Sequence, residues 1–164
     1  MKKHLLIVLT ILASSLAFTS CSYKSAATPD FEAWSKAVRT TAEGQRDTIL
    51  ISDTLNVGDT LRWYVLISGG VCYNSLTSFT LQTDTSALSV AIEPVDSTLA
   101  NYLTTGTDLE HGKMVFKPAQ LYACTLWLKF ITRKSGSHPV EMTIANDAGV
   151  DFSPRTWTYT PVVK

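Results

Sequence analysis

The chain has 164 residues, 45% of them hydrophobic and 17% charged, which is enough for one domain with its own core. Its 14 lysines and arginines balance 14 aspartates and glutamates, and past the first few residues no basic cluster exceeds Arg133-Lys134. Such a chain offers no phosphate-neutralising stripe, so nucleic acid is excluded as a partner.

The first stretch reads MKKH and then LLIVLTILASSLAF, a basic start followed by an uncharged apolar run. That is the layout of a secretory signal. The run is shorter than the roughly 20 apolar residues that span a bilayer, so it reads as a leader and not as a permanent anchor. Ser15-Leu16-Ala17 would serve an ordinary signal peptidase, but that reading leaves Cys21 unexplained.

Phe18-Thr19-Ser20-Cys21 resembles the lipobox of bacterial lipoproteins, with small residues at Thr19 and Ser20 and phenylalanine where leucine is commoner. The resemblance implies that residues 1–20 are removed as a signal peptide. It also implies that Cys21 becomes the first mature residue and carries the lipid, palmitate among its acyl chains. One acyl chain binds a membrane only marginally, whereas several hold it stably. Ser22, in place of an aspartate, implies release to the outer membrane of a Gram-negative bacterium. Tyr23-Lys24-Ser25-Ala26 lacks the acidic run that some families use for surface display, which favours the periplasmic side.

About 144 residues then remain, enough to bury a core without covalent staples. Residues 21–28 are small and polar, suited to a tether. In residues 29–45 the period changes. Phe31, Trp34 and Val38 recur at helical spacing, Asp30 and Glu32 stand near the start, Lys36 and Arg39 near the end, and Gly44 follows. This predicts a short amphipathic helix whose apolar stripe packs on the rest of the domain.

From Asp47 to the end the period is two. TILIS, DTLRWYVLIS, SFTLQTD, LSVAIEP, KMVFKPA, ACTLWLKFITRK, PVEMTIAND and PRTWTYTPVV are β-rich runs separated by Gly, Asp, Asn, Ser or Pro. Alternation sets Leu61, Trp63, Val65 and Ile67 against Arg62, Tyr64 and Ser68. It likewise sets Cys124, Leu126, Leu128 and Phe130 against Thr125, Trp127 and Lys129, and it lines up Val140, Met142 and Ile144. About eight short strands in residues 46–164 predict a mainly β fold, an antiparallel sandwich. The long connection VDSTLANYLTTGTDLEHG has room for a helical turn.

The order DTLNVGDTLRWYVLISGG, LTSFTLQTD, VFKPAQLYACTLWLKFITRKSG resembles bacterial immunoglobulin-like domains and the small sandwich lipoproteins related to them, Val57-Gly58-Asp59-Thr60 being the best-matched piece. The resemblance implies an immunoglobulin-like sandwich. It transfers no ligand residues, because adhesion, glycan handling and scaffolding all occur on that fold.

Little points to chemistry. There is no G-x-S-x-G elbow, no H-E-x-x-H and no cofactor fingerprint, and His111 and His138 sit in loop-like contexts. Asn146-Asp147-Ala148-Gly149-Val150-Asp151 offers oxygens that calcium would accept, but reads more simply as an Asn/Asp/Gly turn. In an oxidising compartment Cys72 and Cys124 could join, a closure contributing about 4 kcal/mol; a free Cys124 would equally suit an apolar strand.

The aromatic residues are the strongest binding signal. Trp127, Trp157 and Tyr159 stand in strands, Trp127 on the face opposite Leu126 and Leu128, and Tyr73 lies in a loop. We expect Trp127, Trp157 and Tyr159 to gather on one sheet face and to be covered by the helix, as in a binding or scaffolding module with a protein partner and no catalysis. The alternative is a glycan-binding module, with the same rings and Tyr73 exposed and coplanar; an enzyme or accessory hydrolase domain ranks last.

Overall fold

The computed structural model describes residues 27–164. The leader, Cys21 and the first part of the tether fall outside the described residues. Eleven strands follow in chain order: β1 (Asp30–Thr40), β2 (Arg46–Leu50), β3 (Thr60–Ser68), β4 (Leu76–Gln82), β5 (Leu88–Pro94), β6 (Lys113–Val115), β7 (Ala123–Thr132), β8 (Gly136–Ser137), β9 (Val140–Asn146), β10 (Arg155–Tyr159) and β11 (Val162–Val163).

They build two antiparallel sheets, β2-β1-β3-β7-β5 and β10-β9-β4-β6, with β11 and β8 paired separately at one end. The set β1-β3-β7-β5 facing β10-β9-β4 is the A-B-E-D and G-F-C order of an immunoglobulin-like sandwich. β2 extends one sheet and β6 the other.

Alternation decides the core. Leu61, Val65 and Ile67 of β3, Leu126, Leu128 and Phe130 of β7, and Val140, Met142 and Ile144 of β9 are all buried, as the period of two requires. Phe79 and Met114 complete the facing sheet, so side chains from the two inner faces form a single cluster. The long connection between β5 and β6 holds two short 3-10 turns, Ser97–Tyr102 and Leu109–His111, each opened by an aspartate accepting a backbone N–H.

The segment expected to be a helix is instead β1. Helical spacing arose because Phe31 precedes a bulge, Trp34 lies in it and Val38 follows it. Ala33 pairs with Val65 and Ala37 with Trp63, so four steps along β1 match two along β3. Phe31 points into the sandwich, where its ring meets Trp63 at 5.9 Å and Trp157 at 5.7 Å. Trp34 points out. An isolated helix of this length is marginal in water, and pairing with β2 and β3 on both sides outweighs its propensity. Gly44, read as a helix stop, shapes the β1–β2 turn at φ 85°, with its N–H donated to Thr41 O.

Candidate functional site

The β1 bulge sets up the most distinctive surface of the domain. Its extra residues arch away from β3, which turns the Trp34 carbonyl to a side-chain donor while Ser35 keeps the β1–β2 register. Trp34 O accepts from the Trp63 indole at 2.6 Å and Ser35 O from the Ile51 amide at 2.9 Å. The arch leaves the Trp34 side chain on the outer face of the five-stranded sheet, 64% exposed.

There Trp34 meets Tyr64 with ring centroids 4.4 Å apart, and Tyr64 meets Trp127 at 5.0 Å. Tyr64 and Trp127 are direct cross-strand partners between β3 and β7, and Glu93 of β5 opposes Trp127 on its other side. A row Trp34–Tyr64–Trp127–Glu93 therefore crosses four strands. The register makes it, since residues opposed across a ladder share a face.

Charge borders the row. The Arg62 guanidinium lies 5.3 Å from the Trp127 ring centroid and pairs with Glu93, whose second oxygen is 3.8 Å from Lys129 Nζ. Arg62 Nε is shielded from solvent and has no acceptor. A shielded donor without an acceptor costs about 1–3 kcal/mol, which opposes what the guanidinium gains from Glu93 and the Trp127 ring. The rings are not coplanar. Tyr64 is tilted 38° from Trp34 and 70° from Trp127.

The other aromatics singled out from the sequence lie elsewhere, which corrects the expectation that Trp127, Trp157 and Tyr159 share one face. Trp157 and Tyr159 belong to β10 in the opposite sheet and lean inward against the core. Tyr159 sits 5.1 Å from Trp63 and 5.6 Å from Phe130, and its hydroxyl donates to Ile51 O at 3.1 Å. Burial pushes its pKa up to about 12. Tyr73 is on the β3–β4 loop at one end of the sandwich, 81% exposed and edge-on to Tyr122. Trp34 and Tyr64 were missed as site residues. The alternation of β3 did put Tyr64 outward beside Trp127's strand, whereas only the bulge shows where Trp34 goes.

Of the two alternatives for the cysteines, the structure takes free thiols at both Cys72 and Cys124. Cys124 lies opposite Ile67 on the inward side of β7, lining a cavity with Leu99, Tyr102 and Leu121. Burial raises its thiol to about 12, the behaviour of a packing group and not of a nucleophile. Cys72 belongs to the loop past the end of β3.

The polar residues weighed for chemistry serve the backbone. Asn146 Oδ1 accepts from Ala148 N at 3.1 Å and Asp147 Oδ1 from Ser75 N at 2.8 Å. His111 pairs with Asp108 on the surface, while His138 Nε2 lies 3.0 Å from the Lys134 carbonyl. Among the described residues no three metal-binding side chains gather, and no helix is long and apolar enough to cross a membrane.

No family model matches the chain, and neither does any curated protein. Solved structures do resemble it. BspA_C_mut superposes with a TM-score of 0.49 at 16% identity, over 82% of this chain and 47% of that one. The C-terminal domain of the Streptococcus pyogenes antigen I/II-family protein AspA gives 0.47 at 18% identity, over 77% and 45%. A family 123 glycoside hydrolase from Clostridium perfringens gives 0.41 at 17% identity, over 68% and 22%. The chain thus spans about half the length or less of these three structures.

Proposed function

We propose that the chain is a lipoprotein held by an acylated Cys21 on the outer membrane of a Gram-negative bacterium, facing the periplasm. Its immunoglobulin-like domain binds a protein partner through the Trp34–Tyr64–Trp127 face and does not catalyse. The observation that carries the binding reading is that row of three rings on the outer face of the five-stranded sheet, Trp34 exposed and Tyr64 and Trp127 half-buried, bordered by Arg62, Glu93 and Lys129. Tryptophan, tyrosine and arginine are the side chains that dominate the energetics of protein interfaces. A contiguous aromatic surface on a solvated sheet is otherwise a liability.

Ring geometry favours protein over sugar. A pyranose lies flat on an aromatic plane, but Trp127 stands edge-on to Tyr64 with the Arg62 guanidinium close to its ring. The resulting ridge suits side chains that interdigitate. One observation supports a glycan as the second reading, namely the 64% exposure of Trp34 at the open end of the row.

Photo-crosslinking in living cells tests this. A crosslinking amino acid at Trp34 is expected to give a discrete protein adduct that disappears with Arg62→Ala and Trp127→Ala. The same probe at Thr158, exposed on the opposite sheet, gives none. If no adduct forms, and a glycan array shows selective binding that Trp34→Ala abolishes, the glycan reading replaces the protein one.

A further inference from the structure

We infer that the end of the sandwich where the described chain begins is a membrane-seating tip, whose Val71, Tyr73, Tyr122 and Val150 rest in the lipid interface; this rests on the Cys21 anchor proposed above. Three loops meet at that end. The β3–β4 loop carries Val71 and Tyr73, the β9–β10 loop carries Val150, and the segment entering β7 carries Tyr122. Val71 is 82% exposed, Tyr73 81%, Val150 95% and Tyr122 46%. These are prominent apolar exposures in the domain, and they cluster at one pole. Tyr73 also holds φ at 57°, a conformation unfavourable for a bulky residue, with its ring edge-on to Tyr122.

The anchor leaves from the same pole. Ala27 is buried, and its carbonyl accepts from Asn146 Nδ2 at 2.7 Å and from Asn74 Nδ2 at 3.2 Å. Asn146 Nδ2 also reaches Gly69 O at 2.6 Å, and Gly69 N donates to Tyr122 O at 2.8 Å. The start of the domain is therefore clamped directly to the loops that carry the exposed side chains. From Cys21 to Ala27 the chain can extend at most about 20 Å, so a lipid on Cys21 keeps this pole within that distance of the bilayer.

The chemistry of the pole says what kind of surface it meets. Tyrosine is the side chain of membrane–water interfaces, with an apolar ring and a polar tip. An open cleft of about 540 Å³ separates the loops of Val71 and Val150, and its walls include Asp30, Asp151 and Arg155. Acidic groups outnumber basic ones there, so attraction to anionic lipid does not drive the contact. Apolar side chains seating among zwitterionic headgroups do.

Cys72, between Val71 and Tyr73, is a built-in reporter. Full-length lipidated protein is placed on phosphatidylcholine/phosphatidylethanolamine vesicles and treated with a bulky water-soluble maleimide, and the Cys72 adduct is followed by mass. Cys124, half-buried with its thiol pushed up to about 12, reacts slowly on that timescale. Cys72 is expected to react about tenfold slower than in the Val71→Ser/Tyr73→Asn/Val150→Ser protein on the same vesicles. Added salt leaves that ratio unchanged. The same pair carrying Cys21→Ala, in buffer without lipid, reacts equally, and a Ser135→Cys reporter at the opposite pole is the same in all cases. Flotation of the vesicles reads the anchor separately. Protein that floats but shows no difference at Cys72 overturns the tip and leaves the anchor standing, whereas protein that does not float overturns both. Protection that rises with the protein-to-lipid ratio assigns the tip to a second copy of the chain and overturns the lipid contact.

Discussion

Asp59 shows why a sequence signature need not mark a site. It is buried, its Oδ2 accepts from Asn56 N at 2.9 Å, and its backbone carbonyl accepts from both Thr132 N and Thr132 Oγ1. Gly58, at φ 93°, donates its N–H to Thr132 O. Val57-Gly58-Asp59-Thr60 is thus a latch between the start of β3 and the end of β7. Asp59→Ala leaves the Asn56 N–H without its acceptor and is expected to lower stability by about 2 kcal/mol, read as a lower denaturant midpoint, with Asp59→Asn costing less. Tyr159 carries a pH signature. Its folded pKa is raised from 10 to about 12 by burial, so its contribution is complete below pH 10 and is lost as pH climbs towards 12. Cys124 titrates over an overlapping range, so the informative quantity is the difference between wild type and Tyr159→Phe. At pH 8 the variant is expected to be less stable by about 1 kcal/mol, for want of the bond to Ile51. Between pH 10 and 12 that gap closes, and a constant gap would mean that Tyr159 ionises freely in the folded state.

At the scale of elements, β1 is where local reading and tertiary structure part. A two-residue bulge turned a strand pattern into a helical one, and only the pairing with β3 separates them. The consequence is asymmetric. Phe31 packs between Trp63 and Trp157, so Phe31→Ala is expected to cost about 2–3 kcal/mol. Trp34 stands on the surface, so Trp34→Ala should cost under about 1 kcal/mol, the worth of its contact with Tyr64. A helix packed by a Phe31–Trp34–Val38 stripe would make the two losses equal, and chemical denaturation of both variants distinguishes the cases. The longer strands were legible because none of them needed a distant partner to reveal its period, whereas the two-residue β8 was missed and β10 and β11 were read as one run. β3, β7 and β9 alternate without a break, and each keeps its buried parity from end to end.

For the whole molecule, the two sheets divide the aromatic residues by task. Those of β10 lean inward with Phe31 and Trp63 and close one side of the core, while the row on β1, β3 and β7 stays outside. Replacing the outer rings should therefore separate binding from folding. Trp127→Ala is expected to keep the wild-type unfolding cooperativity while losing the adduct formed by the probe at Trp34. Cys21→Ala should instead keep the domain intact and abolish partition into detergent. If that protein still fractionates with membranes as before, the anchor is wrong while the binding face is untouched.

By itself the sequence determined what depends on near neighbours along the chain: the β-rich runs, their inward and outward parity, and hence a sandwich. These follow from side-chain period and turn chemistry, which act over a few residues. Only the tertiary structure decided that residues 30–40 are a strand, and that Trp127 joins Trp34 and Tyr64 and not Trp157 and Tyr159. Each of those outcomes is a matter of register or of which sheet a strand joins. One step of slip, or one bulge, exchanges a strand's two faces, and no local preference records the choice.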